Sequence, residues 1–561
     1  MKKLKCFVGA ALGALGLALP ACGGQSGVAS RGVCRTISPT SSNATPQVVS
    51  AVRAMRDGDT LRFRKGVYHF YEEGTVRRML NVLNGKLDEK KVVFDFDGRK
   101  NVTVDGGGST FIWHGNVFPF AATHCEGVRL MNFTTRAFRP SFAEFRIVAF
   151  HDDGFTLRYA DDVDWRVKDG AILIETDLGT FDSREKIISL HSLDRCCINY
   201  LFVANEKTRR DNLAAAFMNA VAEDCGDGTV RVKNRHQNLN GCIDNEPFKV
   251  GEPLAMLLNG RERCGAFFAN SKDIVVKDVA FESGDGMGII SLFNENLTID
   301  GYCVVPKKGG KVSTTADCLY VVNNRGKVEV KNTELSWSMD DAVNMHGTYL
   351  RLVSAEGSKA ELAAIHESSV GLWPFRVGDV VEFSAELPRR DVLGTAKVVS
   401  VEPTPNGGVT LNFDRDVSGY PMGTRVEDIS ALPSLVHIHD SAFHDTMHLR
   451  LSGRNPYLVE HCRFERGLAL LISDLSGYWG ESGRTADMTI RDNTFVDWNA
   501  RGWYDACIVA EVEGRDGSLP PPKIHRGIKI LNNRYSGLRR DFVCLPCAED
   551  PVVEGNEVLS R

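Results

Sequence analysis

Three aspartates stand out for what their type and spacing could do. Asp317 closes the run Thr314-Thr-Ala-Asp317, and 23 residues later comes Asp340 in the segment Met339-Asp340-Asp341-Ala-Val-Asn344-Met-His346-Gly347. Crowded carboxyls repel one another, so their proton affinities separate: one stays protonated as a general acid and another stays ionised as a base. Glycoside hydrolysis uses that division of labour, and an inverting enzyme keeps its acid and base about 6.5–9.5 Å apart to leave room for water. The plainer reading of an Asp-Asp pair is a solvated turn or a calcium site. The third aspartate, with an Asn and a His in phase, tips the balance toward catalysis.

Strand periodicity sorts the second group. Asp340, Ala342, Asn344 and His346 share one phase, and Asp341, Val343 and Met345 share the other. Val343 and Met345 are core residues by type, so Asn344 and His346 face outward as candidate substrate ligands. A regular strand would drive Asp341 into the core, where an unpaired carboxylate is very costly. The chain is therefore expected to bend at Asp340-Asp341.

The elements that must position these groups come from a repeat. An apolar residue, any residue, a polar turn residue, two more positions and a large apolar residue recur as Val276-Lys-Asp-Val-Ala-Phe281, Val330-Lys-Asn-Thr-Glu-Leu335, Ile438-His-Asp-Ser-Ala-Phe443, Val459-Glu-His-Cys-Arg-Phe464, Ile490-Arg-Asp-Asn-Thr-Phe495 and Ile530-Leu-Asn-Asn-Arg-Tyr535. A shorter version is Val128-Arg-Leu-Met-Asn-Phe133. Apolar alternation makes a strand with one buried face. Asn and Asp at the bend tolerate left-handed backbone. Short strands, sharp polar turns and a period of about 20–30 residues predict an all-β, right-handed parallel β-helix. A propeller blade needs a longer period, and a sandwich is the other alternative. One coil of such a solenoid would bring Asp317 beside Asp340, since neighbouring strands lie about 4.8 Å apart.

Residues 46–56 read as a short helix with Pro46 in its first turn, capping the open end of the first coil. The chain is divided into a cap and first coils over 45–140, coils bearing the acids over 261–346 and closing coils over 433–561. Stretches 141–260 and 347–432 alternate like strands but lack the repeat, and are read as two inserted β-rich, small-barrel-like domains. Such inserts commonly wall a binding site.

Lys2, Lys3 and Lys5, an apolar run over 7–19 and Leu19-Pro20-Ala21-Cys22 have the form of a bacterial lipoprotein signal, with Cys22 as the lipidated residue and residues 22–44 as a tether. The expected location is the bacterial cell envelope, with a lipid anchor as the sole membrane attachment. The net charge of −5 argues against a nucleic-acid backbone as partner. The 15 cysteines include Cys544-Leu-Pro-Cys547 but no convincing zinc spacing. Oligomeric state stays open, with a homodimer among the options.

Asp317, the pair Asp340-Asp341 and the Asn-x-His-Gly stretch at 344–347 resemble glycoside hydrolase family 110, the bacterial exo-α-1,3-galactosidases. Gly286-Met-Gly-Ile-Ile290, Glu295-Asn-Leu-Thr-Ile299, the run from Asn101 to Gly115 and Tyr478-Trp479-Gly480-Glu481-Ser482-Gly483 resemble further family segments. The resemblance implies a β-helix with two β-barrel inserts, inversion of configuration, and release of terminal α-1,3-linked galactose from an oligosaccharide or glycoconjugate. It implies Asp317, Asp340 and Asp341 as the catalytic carboxylates, with Asp340 as acid, and neither metal nor cofactor. Trp479 and Glu481 become candidate substrate ligands, the ring for a sugar's C–H face and the carboxylate for hydroxyls; a core Trp beside a surface Glu is the plainer reading. One departure is Cys318-Leu319-Tyr320, where Ala-Thr-His is expected in many members.

Two other readings compete. A polygalacturonase-like hydrolase would act on acidic polymers and needs a basic subsite, which Arg526-Gly-Ile-Lys529 only roughly resembles. A non-catalytic carbohydrate-binding surface protein would have no use for three clustered acids.

Overall fold

A computed structural model describes residues 32–40, 42–82, 87–184, 189–193, 217, 220–234, 242–243, 246–247, 249–258, 263–386, 390–499, 504–513 and 520–560. Residues 1–21, read as a signal segment, and Cys22 lie outside the described residues.

The repeat builds the solenoid as its residue types dictate. Its turn residues, Asn132, Asp278, Asn332, Asp440, His461, Asp492 and Asn532, all adopt left-handed backbone, with φ between 49° and 61°. A second left-handed corner follows five residues later in most coils, at Ser283, Trp337, Asp445, Arg466 and Asp497. Two corners flanking a three-residue strand turn the chain sharply, and the next strand then starts on another face. The outcome is parallel pairing between successive coils. Strand Glu295–Asp300 pairs with Arg325–Lys331, that with Pro433–His439, and onward through Tyr457–Glu460, Met488–Arg491 and Ile528–Leu531. A separate face stacks Met287–Leu292, Leu319–Val322, Val343–Glu356, His448–Leu451, Ala469–Asp474 and Ala506–Val512.

The apolar positions of the repeat fill one continuous core. Val276, Val330, Ile438, Val459, Ile490 and Ile530 are all buried in it. The large terminal apolar residue of each repeat stacks on the next: Phe443 on Phe464 at 5.2 Å, and Phe464 on Phe495 at 4.5 Å and 8°. Offset rings at such distances add to simple burial. Buried asparagines run beside them. Asn493 and Asn533 each accept from the preceding coil's backbone and donate to a carbonyl of it.

The helix Thr45–Ala54 has Pro46 in its first turn and buries Val48, Val49 and Val52 against the first coil. The solenoid reaches into the stretch 22–44 that reads as a tether. Strand Cys34–Ile37 pairs in parallel with Thr60–Phe63, so the end of that stretch belongs to the solenoid.

The inserts leave the coils as antiparallel structure. In the second, strand Val343–Glu356 continues out of the solenoid and pairs with Lys359–Ala364, which leads through Val409–Phe413, Val392–Pro403, Val380–Ser384 and Arg425–Asp428 back to itself. The pairings thus close a ring of six strands around Leu350, Leu362, Val381, Phe383, Leu411 and Val426. The first differs from the small barrel expected. Its described strands form an open six-stranded sheet from Ser189–Ser192 to Ala220–Asp224, a separate three-stranded sheet over Trp165–Asp182 and the short pair Cys242–Ile243 with Glu246–Pro247.

Candidate active site

The acids sit on a corner that two consecutive coils share. Thr314 bridges Ser338 and Leu319 pairs with Val343, so the coil offset here is 24 residues. The partner of Asp317 in the stack is therefore Asp341, and Asp340 falls one position earlier, a difference of one residue from the spacing argument. The chain bends through Met339, Asp340 and Ala342 before the strand starts at Val343. That bend turns both carboxylates away from the core that Val343 and Met345 enter. Oxygens of Asp317, Asp340 and Asp341 all lie within 4.8 Å of one another, and the three residues are 2%, 8% and 4% exposed.

The next coil supplies the counter-charge. Strand His448–Leu451 pairs with the Val343 strand, placing Arg450 opposite Asn344. His448 Nδ1 donates to Asp341 Oδ1 at 2.6 Å, and Arg450 Nε donates to Oδ2 at 3.3 Å. Ser473 Oγ accepts from Arg450 at 3.0 Å and holds the guanidinium in place. Burial pushes the Asp341 carboxyl up, but the His448 and Arg450 charges and hydrogen bonds outweigh it and leave the group below its ordinary value. The edge of His448 meets the Tyr504 ring at 5.3 Å.

Along the same outward face lies a second polar group. Tyr320 pairs with Asn344 in register, and Val322 with His346. The Tyr320 hydroxyl lies 2.9 Å from His346 Nε2 and 3.3 Å from Glu481 Oε1. Glu481 arrives from a distant loop because Glu481–Ser482 pairs antiparallel with Gly347 and Thr348. Gly347 permits that approach: a Cβ there would lie 2.0 Å from Ser482 Oγ. The Arg450 guanidinium feels the charge of both Asp341 and Glu481. Trp479 packs half-buried against His366 of the second insert at 4.5 Å, with exposed Tyr478 at its edge.

Several polar atoms here are buried without a hydrogen-bond partner: Asn344 Oδ1, His448 Nε2 and Glu481 Oε2. Such atoms are uncommon in folded proteins and mark places where a ligand or water belongs. Three other charged residues are committed elsewhere. Asp285 pairs with Arg263 and accepts from Ser141 Oγ at 2.7 Å, Glu282 faces Arg136 at 3.7 Å, and Arg526 pairs with Glu549 at 2.6 Å. The three aspartates are also close enough to share a cation, as are Glu329, His437 and His439 on another face.

His448 and Arg450 escaped the sequence reading. Their alternation with Leu449 and Leu451 after the Ile438 repeat does mark a strand with two outward polar residues. Nothing local said that 107 residues of chain, including an entire insert, would return that strand to Asp341.

No family model matches the chain. Alpha-1,3-galactosidase A of Streptomyces avermitilis is 28% identical over 81% of this chain and 76% of its own. Alpha-1,3-galactosidase B of Phocaeicola vulgatus is 26% identical over 93% and 87%. Alpha-1,3-galactosidase A of Bacteroides fragilis is 26% identical over 88% and 81%. Among solved structures, a polygalacturonase from Erwinia carotovora is 11% identical, covering 96% of each chain at a TM-score of 0.36. Over most of its length, then, this chain is similar to bacterial proteins named alpha-1,3-galactosidase.

Proposed function

We propose that the protein is an exo-acting glycoside hydrolase that releases terminal α-1,3-linked galactose with inversion. The observation that carries the reading is the buried cluster of Asp317, Asp340 and Asp341, with oxygens within 4.8 Å. The similarity to proteins named alpha-1,3-galactosidase supports the bond and the sugar.

The roles follow from charge. Three carboxylates this close retain a proton among them. His448 and Arg450 hold both oxygens of Asp341, which keeps that carboxylate ionised. We assign the proton to Asp340, whose greater exposure among the three lets it reach a departing glycosidic oxygen. Asp317 and Asp341, stacked in register, orient and deprotonate a water that attacks the anomeric carbon from the opposite side. The C–O bond to the leaving sugar breaks as that oxygen takes the Asp340 proton, and the water's proton passes to the Asp317–Asp341 pair. Nearest-oxygen contact is not the carboxyl-to-carboxyl distance that separates about 6.5–9.5 Å in inverting enzymes from about 5–5.5 Å in retaining ones. The third carboxylate is what favours inversion, because it gives the water a two-sided base. In the cell, lipidation at Cys22 would keep the enzyme on the envelope, and loss of membrane association in Cys22→Ser tests that.

The test is a panel of oligosaccharides ending in α-1,3-galactose, β-galactose or α-galacturonate, with NMR of the first anomer released. Free β-galactose from the α-1,3-galactoside is the expected product. Galacturonate release without galactose, or α-galactose as the first product, would overturn the reading. Asp340→Asn should lower turnover by about 10²–10⁴-fold, the usual worth of a general acid, and leave sugar binding intact.

A further inference from the structure

Glu481 carries an inference about sugar selection that rests on the hydrolase reading. Glu481 is 9% exposed, and only one of its oxygens is satisfied. Oε1 accepts from the Tyr320 hydroxyl at 3.3 Å and lies 3.6 Å from His346 Nε2. Oε2 is buried with no partner. Asn344 Oδ1, on the same outward face as His346 and 5% exposed as a residue, is in the same condition.

Both orphaned atoms are acceptors, so whatever completes them must bring donors. Sugar hydroxyls do so. A uronate carboxylate is acceptor-only when ionised and carries the same sign as Glu481. The Glu481 backbone is held in place by its pairing to Thr348. Tyr320 adds to the effect, because it occupies Oε1 with a neutral hydroxyl and leaves Oε2 for the ligand. We infer that Glu481, held by Tyr320 and His346, is the specificity-determining residue that admits neutral hexoses through a hydroxyl and rejects uronic acids.

The test uses binding, so that it stands apart from turnover. In the full chain carrying Asp340→Asn, calorimetry compares methyl α-galactoside with methyl α-galacturonide. The galactoside should bind about tenfold or more tighter, the scale of a hydrogen bond to a charged group. Adding Glu481→Gln should shrink that preference about tenfold. Tyr320→Phe, which keeps the charge, should weaken galactoside binding without admitting the galacturonide. An unchanged preference in the Glu481→Gln protein, or a parent variant that binds both sugars equally, would overturn the inference. Should the wild-type chain release no galactose while the binding preference appears as stated, the hydrolase reading fails and the role of Glu481 stands. Thermal unfolding of each variant identifies any that does not fold, and Glu481→Ala then replaces Glu481→Gln with the same expected loss of preference.

Discussion

At the residue scale, the site is an arrangement for giving chemically identical side chains different protonation. Asp341 is buried, and burial alone would favour its neutral form. His448 and Arg450 reverse that and hold the carboxyl below its ordinary value. Other charged and titratable groups facing this cluster are Asp317, Asp340, Glu481, Tyr504 and Glu511. Replacing His448 by Gln removes one of the two groups that hold Asp341 and leaves Arg450, so the Asp341 carboxyl should move up toward the usual range. A carboxylate that works ionised is lost from the acid side, as pH falls through its own titration. The acid limb of kcat/KM for Asp341 acting as base should therefore move to higher pH, by about one unit for each 1.4 kcal/mol of lost interaction, with the alkaline side little changed. A pH–rate profile on an α-1,3-galactoside reads this directly. Equal loss at every pH would mean that His448 only supports the fold and would remove it from the mechanism.

At the element scale, stability lies in what repeats from coil to coil. Asn533 is fully buried, and its Oδ1 accepts from both the backbone N–H and the Nδ2 of Asn493 at 3.0 Å. Its Nδ2 donates to Ile490 O at 3.0 Å and Asn556 Oδ1 at 2.9 Å. Asn533→Ala strands several of these groups, and each buried unsatisfied partner costs about 1–3 kcal/mol. Urea unfolding should show a loss of about 3 kcal/mol or more, and a loss below about 1 kcal/mol would mean that water fills the gap and the ladder is dispensable. The solenoid was legible from these same residues. Polar residues at 278, 332, 440, 461, 492 and 532 each announce a left-handed bend, and the large apolar residue three places on announces the next buried strand. The acids were legible as a cluster for that reason. The pairing of Asp317 with Asp341 was not, because a register is fixed by the whole coil and a shift of one residue leaves the pattern unchanged. The placement of Glu481 beside Tyr320 and His346, and His448 altogether, were hidden further still. Glu481 is placed by an antiparallel pairing across a loop and His448 by the closure of an insert, and neither contact leaves a local period in the chain.

At the scale of the whole molecule, the second insert is joined to the solenoid by buried charge, and this junction also holds the site. Strand Val343–Glu356 carries Asn344 and His346 within the coil stack and then becomes the first strand of the insert. Where it leaves, Tyr349 donates to Asp474 Oδ2 at 3.2 Å, and Arg390 of the insert donates to the same oxygen at 2.8 Å with its guanidinium 4.5 Å above the Tyr349 ring. The side chains of Arg390 and Asp474 are both completely enclosed. Asp474 ends the strand Ala469–Asp474, and the chain that continues from it delivers Glu481 to Tyr320 and His346. Two enclosed charges are costly to bring together, but once paired, removing one leaves the other unanswered, which typically costs about 3–5 kcal/mol. Arg390→Met should therefore destabilise the protein by about that amount. Adding Asp474→Asn to it should recover part of the loss, because a neutral amide replaces the stranded carboxylate while still meeting the Tyr349 hydroxyl. If the junction positions Glu481, the single variant should also lose affinity for methyl α-galactoside at temperatures where it remains folded, and the double variant should regain some of it. Urea unfolding followed with calorimetry on the same samples separates the two effects. Recovery of stability without recovery of binding would mean that the insert braces the solenoid but takes no part in setting Glu481.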